Sequence, residues 1–312
     1  MVIWIDNEDG TRGGSIYLKR IHNYMLGEGV KSRYMSVKGL RERVRLILMS
    51  WTSQCEVRAT VPQEIPTMIF CRKKCGYIQS PIEEWSSLSR IGLWVLMRMC
   101  GRSCKFVCVS RTTQRSAEGF GCSVVNVEYA KLDSLRKVSD AEKRVTERKE
   151  LVLIVMDNEL VDKGYLRHLS ISDAVATDNR VIVEVYGRER GSDYTNKGKT
   201  VFRGFQENPF EKAKAYNKGK KIVYLGCSRF EGLHMAVVEA AIAGIPSILS
   251  DIPAHRELEE IAGRPLVIGC DVNENIVMLK RIIQEEEYNN EVEKCVDLAE
   301  RFSRLGMPGV GL

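Results

Sequence analysis

The chain has 312 residues, enough for about two domains with a core each. With 44% hydrophobic and 28% charged residues it is composed like an ordinary globular protein, which excludes a disordered chain and a disulfide-built miniprotein. The net charge of +6 is unevenly spread, with a balance of +10 over residues 1–148 and −4 over 149–312, so the basic first half favours an anionic partner: nucleotide phosphate, phospholipid headgroup or nucleic acid.

The first predicted element is an apolar strand at Val2–Ile5, followed by a Gly-rich turn from Asp6 to Gly14 and a helix from Ser15 to Leu26. Gly27 and Gly29 stop that helix, and a second strand is predicted at Ser32–Val37. This strand, glycine turn, helix, strand unit begins a parallel sheet with helices on its faces. Apolar stretches at Arg45–Met49, Met68–Phe70, Phe106–Val109 and Val124–Val127 are expected to add strands, with a helix over about Glu84–Met99. The longest central apolar run, Ile91–Met97, contains Gly92 and ends at Arg98, far short of the roughly 20 residues of a membrane span.

Residues 140–150 are almost wholly charged, and the domain boundary is set there, between domains 1–148 and 149–312. Strands are predicted at 151–156, 181–186, 199–202, 221–225 and 247–249. Helices are predicted at 163–176, 208–217, 234–243, 254–262 and 273–304, the last expected to return toward the first domain. Two doubly wound domains in tandem is the simplest architecture, and the Gly-rich tail from Gly306 is expected to fray. The N-terminus meets Asp6 at once and lacks the basic and apolar segments of a secretory signal, so a cytoplasmic chain is expected.

The segment from Val223 to Glu259 carries the chemistry. A strand ends near Gly226, then Cys227-Ser228-Arg229-Phe230-Glu231-Gly232-Leu233 leads into an apolar helix that contains Glu239 and ends at Gly244. Gly232 permits close backbone approach, and the amides of the next helical turn attract an anion such as phosphate. On one helix, Glu231 and Glu239, eight positions apart, would be separated by a rise of about 12 Å, so the two carboxylates would serve different parts of an elongated ligand. Glu239 sits among Ala236, Val237, Val238, Ala240 and Ala241, which predicts a buried carboxylate that needs donors. Ribose hydroxyls would serve; the other reading is a partly exposed or salt-bridged helix residue.

Ser228-Arg229-Phe230-Glu231-Gly232-Leu233, Val238-Glu239-Ala240, Ala243-Gly244-Ile245-Pro246, Ser250-Asp251-Ile252-Pro253 and Arg256-Glu257 together resemble the nucleotide-sugar site of retaining GT-B glycosyltransferases, in particular glycosyltransferase family 4. Gly13-Gly14 resembles the family's glycine loop, Val109-Ser110-Arg111 its Val-Ser segment, Asp162-Lys163-Gly164 its Lys-Gly pair, and Val185-Tyr186-Gly187 the strand that follows. The resemblance implies an α/β GT-B fold of two Rossmann-like domains facing a central cleft. It implies a retaining, metal-independent glycosyltransferase that moves a sugar from a nucleotide diphosphate sugar to an acceptor hydroxyl of a glycan, lipid or other molecule, with no cofactor. Glu239 would bind the ribose and Glu231 would face the transferred sugar. Lys163, Gly13-Gly14 and the amides around Gly232, Leu233 and His234 would hold the diphosphate.

The chain departs from that pattern at two places. Asn158 stands five residues before Lys163, where the family usually has an arginine, and Arg12, Arg188 or Arg229 is left to supply the second cation. The segment Tyr77-Ile78-Gln79-Ser80-Pro81 has Gln79 where many relatives carry a histidine facing the sugar. A nucleotide-sugar-binding module with weak or no transfer, a transferase acting on nucleic acid, and an epimerase on the same architecture stay open as alternatives.

The four histidines, 22, 168, 234 and 255, are scattered, so no ligand cluster is expected, and only His234 is a candidate for the donor loop. The ten cysteines include no Cys-x-x-Cys pair, which argues against zinc. Arg41, Arg43 and Arg45, with Lys38 before them, read first as a solvated face, with contact to an anionic acceptor or a membrane surface as the alternative, which the stretch from Ser89 to Gly101 with Trp94, Leu96, Arg90 and Arg98 shares. For the second stretch a core helix with charged ends is the preferred reading.

Overall fold

The computed structural model describes residues 1–6, 19, 21–23, 25–27, 29–36, 40–52, 55–61, 64–72, 74–100, 104–129, 150–157, 164–175, 178, 180–187 and 199–305. The chain divides into two compact units, residues 1–133 with 305–312, and residues 134–304. Asn158, Lys163, Gly13, Gly14, most of the charged segment 140–150 and the tail from Gly306 lie outside the described residues.

The first unit runs β1 (Val2–Asp6), β2 (Ser32–Ser36), α1 (Leu40–Thr52), β3 (Glu56–Val61), α2 (Ile65–Phe70), β4 (Lys74–Ile78), α3 (Ser87–Cys100), β5 (Cys104–Cys108), α4 (Arg111–Gly119) and β6 (Val124–Val127). Its six strands are parallel in the order β2-β1-β3-β4-β5-β6. Ile3, Ile5, Val57 and Ala59 bury one sheet face against Leu46 of α1, Met68 of α2, and Leu93 and Leu96 of α3. The alternate residues, Trp4, Arg58 and Tyr77, point to the other face. Val109-Ser110-Arg111 is a strand-to-helix turn in which Ser110 Oγ accepts the Thr113 N–H at 3.1 Å and Thr113 answers with its own side chain, a reciprocal cap on α4.

Two of the expected strands are helices. Arg45–Met49 lies inside α1 and Met68–Phe70 inside α2. A short apolar run does not distinguish a strand from one face of a helix, and here Leu46 and Ser50, four apart, are the residues that turn inward. The true strands β3 and β4 were hidden by charged residues buried within them, Arg58 and Lys74. Lys74 Nζ is satisfied by the Ile69 carbonyl at 3.1 Å and Cys100 Sγ at 3.0 Å.

The second unit runs β7 (Leu151–Asp157), α5 (Tyr165–Val175), β8 (Val181–Gly187), β9 (Lys199–Gly204), α6 (Pro209–Tyr216), β10 (Lys221–Gly226), α7 (Met235–Ile242), β11 (Ser247–Ser250), α8 (Pro253–Ala262), β12 (Val267–Gly269), α9 (Val272–Ile282) and α10 (Glu285–Arg304). Its sheet is also all parallel, in the order β12-β11-β10-β7-β8-β9. The central strands are continuous apolar runs because both faces are covered, as with Leu151 to Val155, none more than 1% exposed. The single helix expected over 273–304 is two, α9 and α10, and α10 packs on α7 and α8. All ten cysteines are free thiols.

Candidate functional site in the second unit

Strand order in the second sheet reverses between β7 and β10, the two strands that lie side by side at its centre. In an open parallel sheet the loops leaving the carboxyl ends at such a reversal diverge to opposite faces and leave a crevice for ligands. Asn158 and Lys163 follow β7 in sequence, and the Cys227–His234 loop follows β10. The end of the first loop is pressed on the second. A Cβ on Gly164 would lie 1.9 Å from the Cys227 carbonyl oxygen, and Gly164 has φ +82°, so that position accepts no side chain.

Within the Cys227–His234 loop, Cys227 and Ser228 are buried, Arg229 is exposed, and Gly232, Leu233 and His234 are buried again. Glu231 lies in the loop and not on the helix, its side chain 11% exposed, and its Oε1 accepts from Ser228 Oγ at 2.8 Å. Glu239 is in the second turn of α7 and is half-buried, not buried as its apolar neighbours suggested. Because the helix starts at Met235, after Glu231, spacing along one helix does not set the separation of the two carboxylates. Both act on the Tyr224 hydroxyl, whose pKa stands well above the usual value through burial first, then the charges of Glu231, Cys227 and Glu239.

The start of α7 has no side-chain cap and no acidic residue in its first turn. Its N-cap residue, His234, turns its ring elsewhere. His234 Nδ1 meets His255 Nε2 at 2.7 Å, and His234 Nε2 meets the Tyr224 hydroxyl at 3.0 Å. His255 Nδ1 lies 2.6 Å from the Ser250 carbonyl, which can only accept, so that nitrogen carries a proton. In the neutral pair the remaining protons are thereby assigned. His255 Nε2 accepts from His234 Nδ1–H, and His234 Nε2 accepts from Tyr224 O–H, consistent with a tyrosine kept protonated. Ser250 Oγ in turn donates to the Ser228 carbonyl. The circuit Tyr224, His234, His255, Ser250, Ser228, Glu231 ties β10, β11 and α8 to the loop, and leaves α7 with its dipole and first-turn amides as the anion-attracting feature.

A third histidine supports the same loop. His168 of α5 is buried, and its Nε2 accepts the Cys227 N–H at 3.3 Å. Burial holds its pKa down at about 4, so it is neutral and able to accept. The histidines expected to be scattered therefore gather, three of the four, around one loop, as hydrogen-bonding supports; among the described residues no group of His, Cys, Asp and Glu could hold a metal ion. The pairing of 234 with 255 was not visible in sequence because 20 residues, with a helix and a strand, intervene. Its only signal was that both flank segments already singled out.

The first unit holds a polar network that the sequence reading missed. Arg58 donates to Glu56 Oε1 at 2.7 Å and to the Tyr77 hydroxyl at 3.1 Å, lies 5.3 Å from the Trp4 ring, and is linked through Tyr77 to Glu128 Oε2 at 2.8 Å. Burial raises the Glu128 pKa, opposed by the Tyr77 hydrogen bond and the Arg58 charge. Gln79 directly follows β4 and is half-buried. The sequence offered no signal for it, because Arg58 is also the residue that hid β3 as a strand.

These two sheets and their flanking helices define the class: a GT-B fold, two Rossmann-like domains in one chain. Among solved structures, HepE of Anabaena in complex with UDP is similar with a TM-score of 0.70 at 15% identity, over 97% of this chain and 94% of that one. WaaG, a glycosyltransferase involved in lipopolysaccharide biosynthesis, is similar with a TM-score of 0.66 at 12% identity, over 96% and 95%. TarM is similar with a TM-score of 0.63 at 12% identity over 83% of this chain, which spans only 54% of TarM. No family model matches the chain, and no curated protein matches it significantly.

Proposed function

We propose that the chain is a retaining, metal-independent glycosyltransferase of the family 4 type, moving a sugar from a nucleotide diphosphate sugar to an acceptor hydroxyl of a glycan, lipid or other molecule. The observation that carries the reading is the uncapped start of α7 at the strand-order reversal, with Glu231 held in the loop before it and Glu239 one turn inside it. Support comes from neighbours of the same fold, HepE bound to UDP or UDP-glucose and S. aureus TarM bound to UDP.

On this reading the α7 amides attract the diphosphate; Lys163 and Gly13-Gly14, to which the family resemblance gives the same role, lie outside the described residues. Glu239 takes the ribose hydroxyls, each bond to a charged acceptor contributing about 1.5 to 3 kcal/mol. Glu231 orients the transferred sugar. The acceptor oxygen attacks the anomeric carbon on the side from which the diphosphate leaves, the bond to the phosphate oxygen breaks, and the acceptor proton passes to the departing diphosphate. The protein contributes position and charge stabilisation. Exposed Arg229, two residues before Glu231 on the same loop, is the candidate cation to make good the arginine that the family pattern has at the position of Asn158.

A thermal-shift panel of nucleotide sugars tests the donor reading. At a hundredfold excess over Kd a bound donor adds about 2.7 kcal/mol, several degrees for a chain of this size. Glu239→Ala is expected to abolish the shift, and an unchanged shift removes Glu239 from the site. Release of nucleoside diphosphate with an acceptor present supports transfer, whereas stabilisation without release assigns a binding module.

A further inference from the structure

The three helices that cover one face of the first sheet bury only half of their apolar residues. On α1, Leu46 and Ser50 turn inward, while Leu40, Val44, Leu48 and Trp51 form a stripe at helical spacing on the outer side, between 47% and 79% exposed. On α3, Leu93 and Leu96 enter the core, and Leu88, Ile91, Trp94 and Met99 face out, each more than half exposed. The expected core helix with charged ends is thus amphipathic in an inverted sense, with apolar residues on both sides. Between these helices α2 packs on each and ends in exposed Phe70, whose carbonyl accepts from Trp51 Nε1 at 2.8 Å. Half of the large apolar side chains exposed among the described residues lie on this one layer. Scattered exposed apolar residues need no explanation, but a contiguous patch of this kind marks an interaction surface.

The charges of the layer select the partner. On the helices themselves Arg41, Arg45 and Arg98 are exposed against one exposed acid, Glu42; just beyond them lie exposed Arg72 after α2 and exposed Glu83 and Glu84 before α3. Arg43, the third arginine of the α1 series, is not part of this outer charge, because Glu64 at 3.0 Å and Thr67 at 2.8 Å hold it inward. A second copy of the chain would set arginines against arginines. Nucleic acid would satisfy the arginines and leave the aliphatic stripes in water. An anionic bilayer satisfies both, taking Leu, Ile and Trp side chains into the boundary between headgroups and acyl chains while guanidinium groups stay among lipid phosphates.

We propose that the outer face of α1, α2 and α3 docks peripherally on an anionic lipid bilayer. This inference does not depend on the donor site, and its test does not measure transfer. Of the four tryptophans, Trp4 and Trp85 are buried and Trp51 and Trp94 are on the layer, so quenching of intrinsic fluorescence by brominated lipids reports on these two. Wild-type chain is expected to float with vesicles of phosphatidylcholine mixed with phosphatidylglycerol, with fluorescence quenched by brominated lipid, and to bind vesicles of phosphatidylcholine alone about tenfold less. Trp51→Ala with Trp94→Ala is expected to lose about tenfold in binding, and Arg41→Glu with Arg45→Glu to lose the preference for the anionic lipid. Binding without quenching, equal binding to both vesicle types, or a dimer in light scattering that the tryptophan variant dissolves would each overturn the proposal. The quenching measurement needs no variant and stands even where a substitution impairs folding.

Discussion

The two units share six parallel strands and differ in where they keep their buried polar groups. In the second, a polar circuit stands at the carboxyl end of the sheet, around the Cys227–His234 loop; the central strand β7 is apolar from Leu151 to Met156, and a buried carboxylate, Glu184 of β8, is held by Tyr186 and by Arg203 of the edge strand β9. In the first, a charged row, Glu56, Arg58, Tyr77 and Glu128, runs across the sheet face itself beside Trp4. The second unit braces a loop over an apolar central strand and keeps its sheet-face ion pair toward the edge. The first sets matched charges on the central strands β3 and β4, where a buried ion loses hydration that only its partners restore.

The comparison breaks first at the loop. Gly164→Ala adds a Cβ on the Cys227 carbonyl in a left-handed backbone, and thermal or urea unfolding is expected to show a loss of about 4 kcal/mol. Gly29→Ala in the first unit has a similar φ of +75° and open space around it, so it isolates the backbone cost at about 1 kcal/mol. Equal losses at the two positions would refute the close approach of the loops after β7 and β10.

Next comes the charged row. Arg58→Met leaves Glu56 and Glu128 without their cation, and urea unfolding is expected to register a loss of about 3 kcal/mol. Adding Glu128→Gln to that variant should recover part of it, because a neutral amide costs less to bury than a lone carboxylate. No recovery would mean that Arg58 acts by packing on Trp4 alone.

The smallest effect sharpens the role of His168. Its folded pKa of about 4 lies below the unfolded value of 6.5, so its contribution is complete above pH 6.5 and is lost as the unfolded state gains a proton on acidification toward pH 4. Between about pH 7 and about pH 5 this amounts to about 2 kcal/mol. His168→Gln keeps an acceptor for the Cys227 N–H and should remove that part of the acid sensitivity, as unfolding midpoints at the two pH values would show. An unchanged pH dependence would assign the acid response to other groups.

The units also differed in how readily they were read. In the second, β7, β8, β9, β10 and β11 and helices α5 to α8 stood close to their predicted bounds, since a strand covered on both faces is written as an unbroken apolar run. In the first, Arg45–Met49 and Met68–Phe70 looked like strands, while β3 and β4 carried Arg58 and Lys74 and did not. The candidate donor residues Glu231, Gly232, Leu233, His234 and Glu239 were legible because they are contiguous with a glycine turn and an apolar helix. Their supports, Tyr224, His255 and Ser250 with His168, were not, because hydrogen bonds between separate elements leave no local pattern.

The amino-acid sequence alone determined the α/β class, the two parallel sheets in prospect and the segment where an anion-attracting helix start follows a glycine. These depend on local periodicity and on the backbone freedom of particular residues, which are properties of neighbours along the chain. Only the tertiary structure decided that Ser228 holds Glu231 in the loop, that three histidines meet at one loop, and that α1 and α3, with their outer stripes, both pack on α2. Each of those is a distance between residues remote in sequence, set by strand order and helix packing.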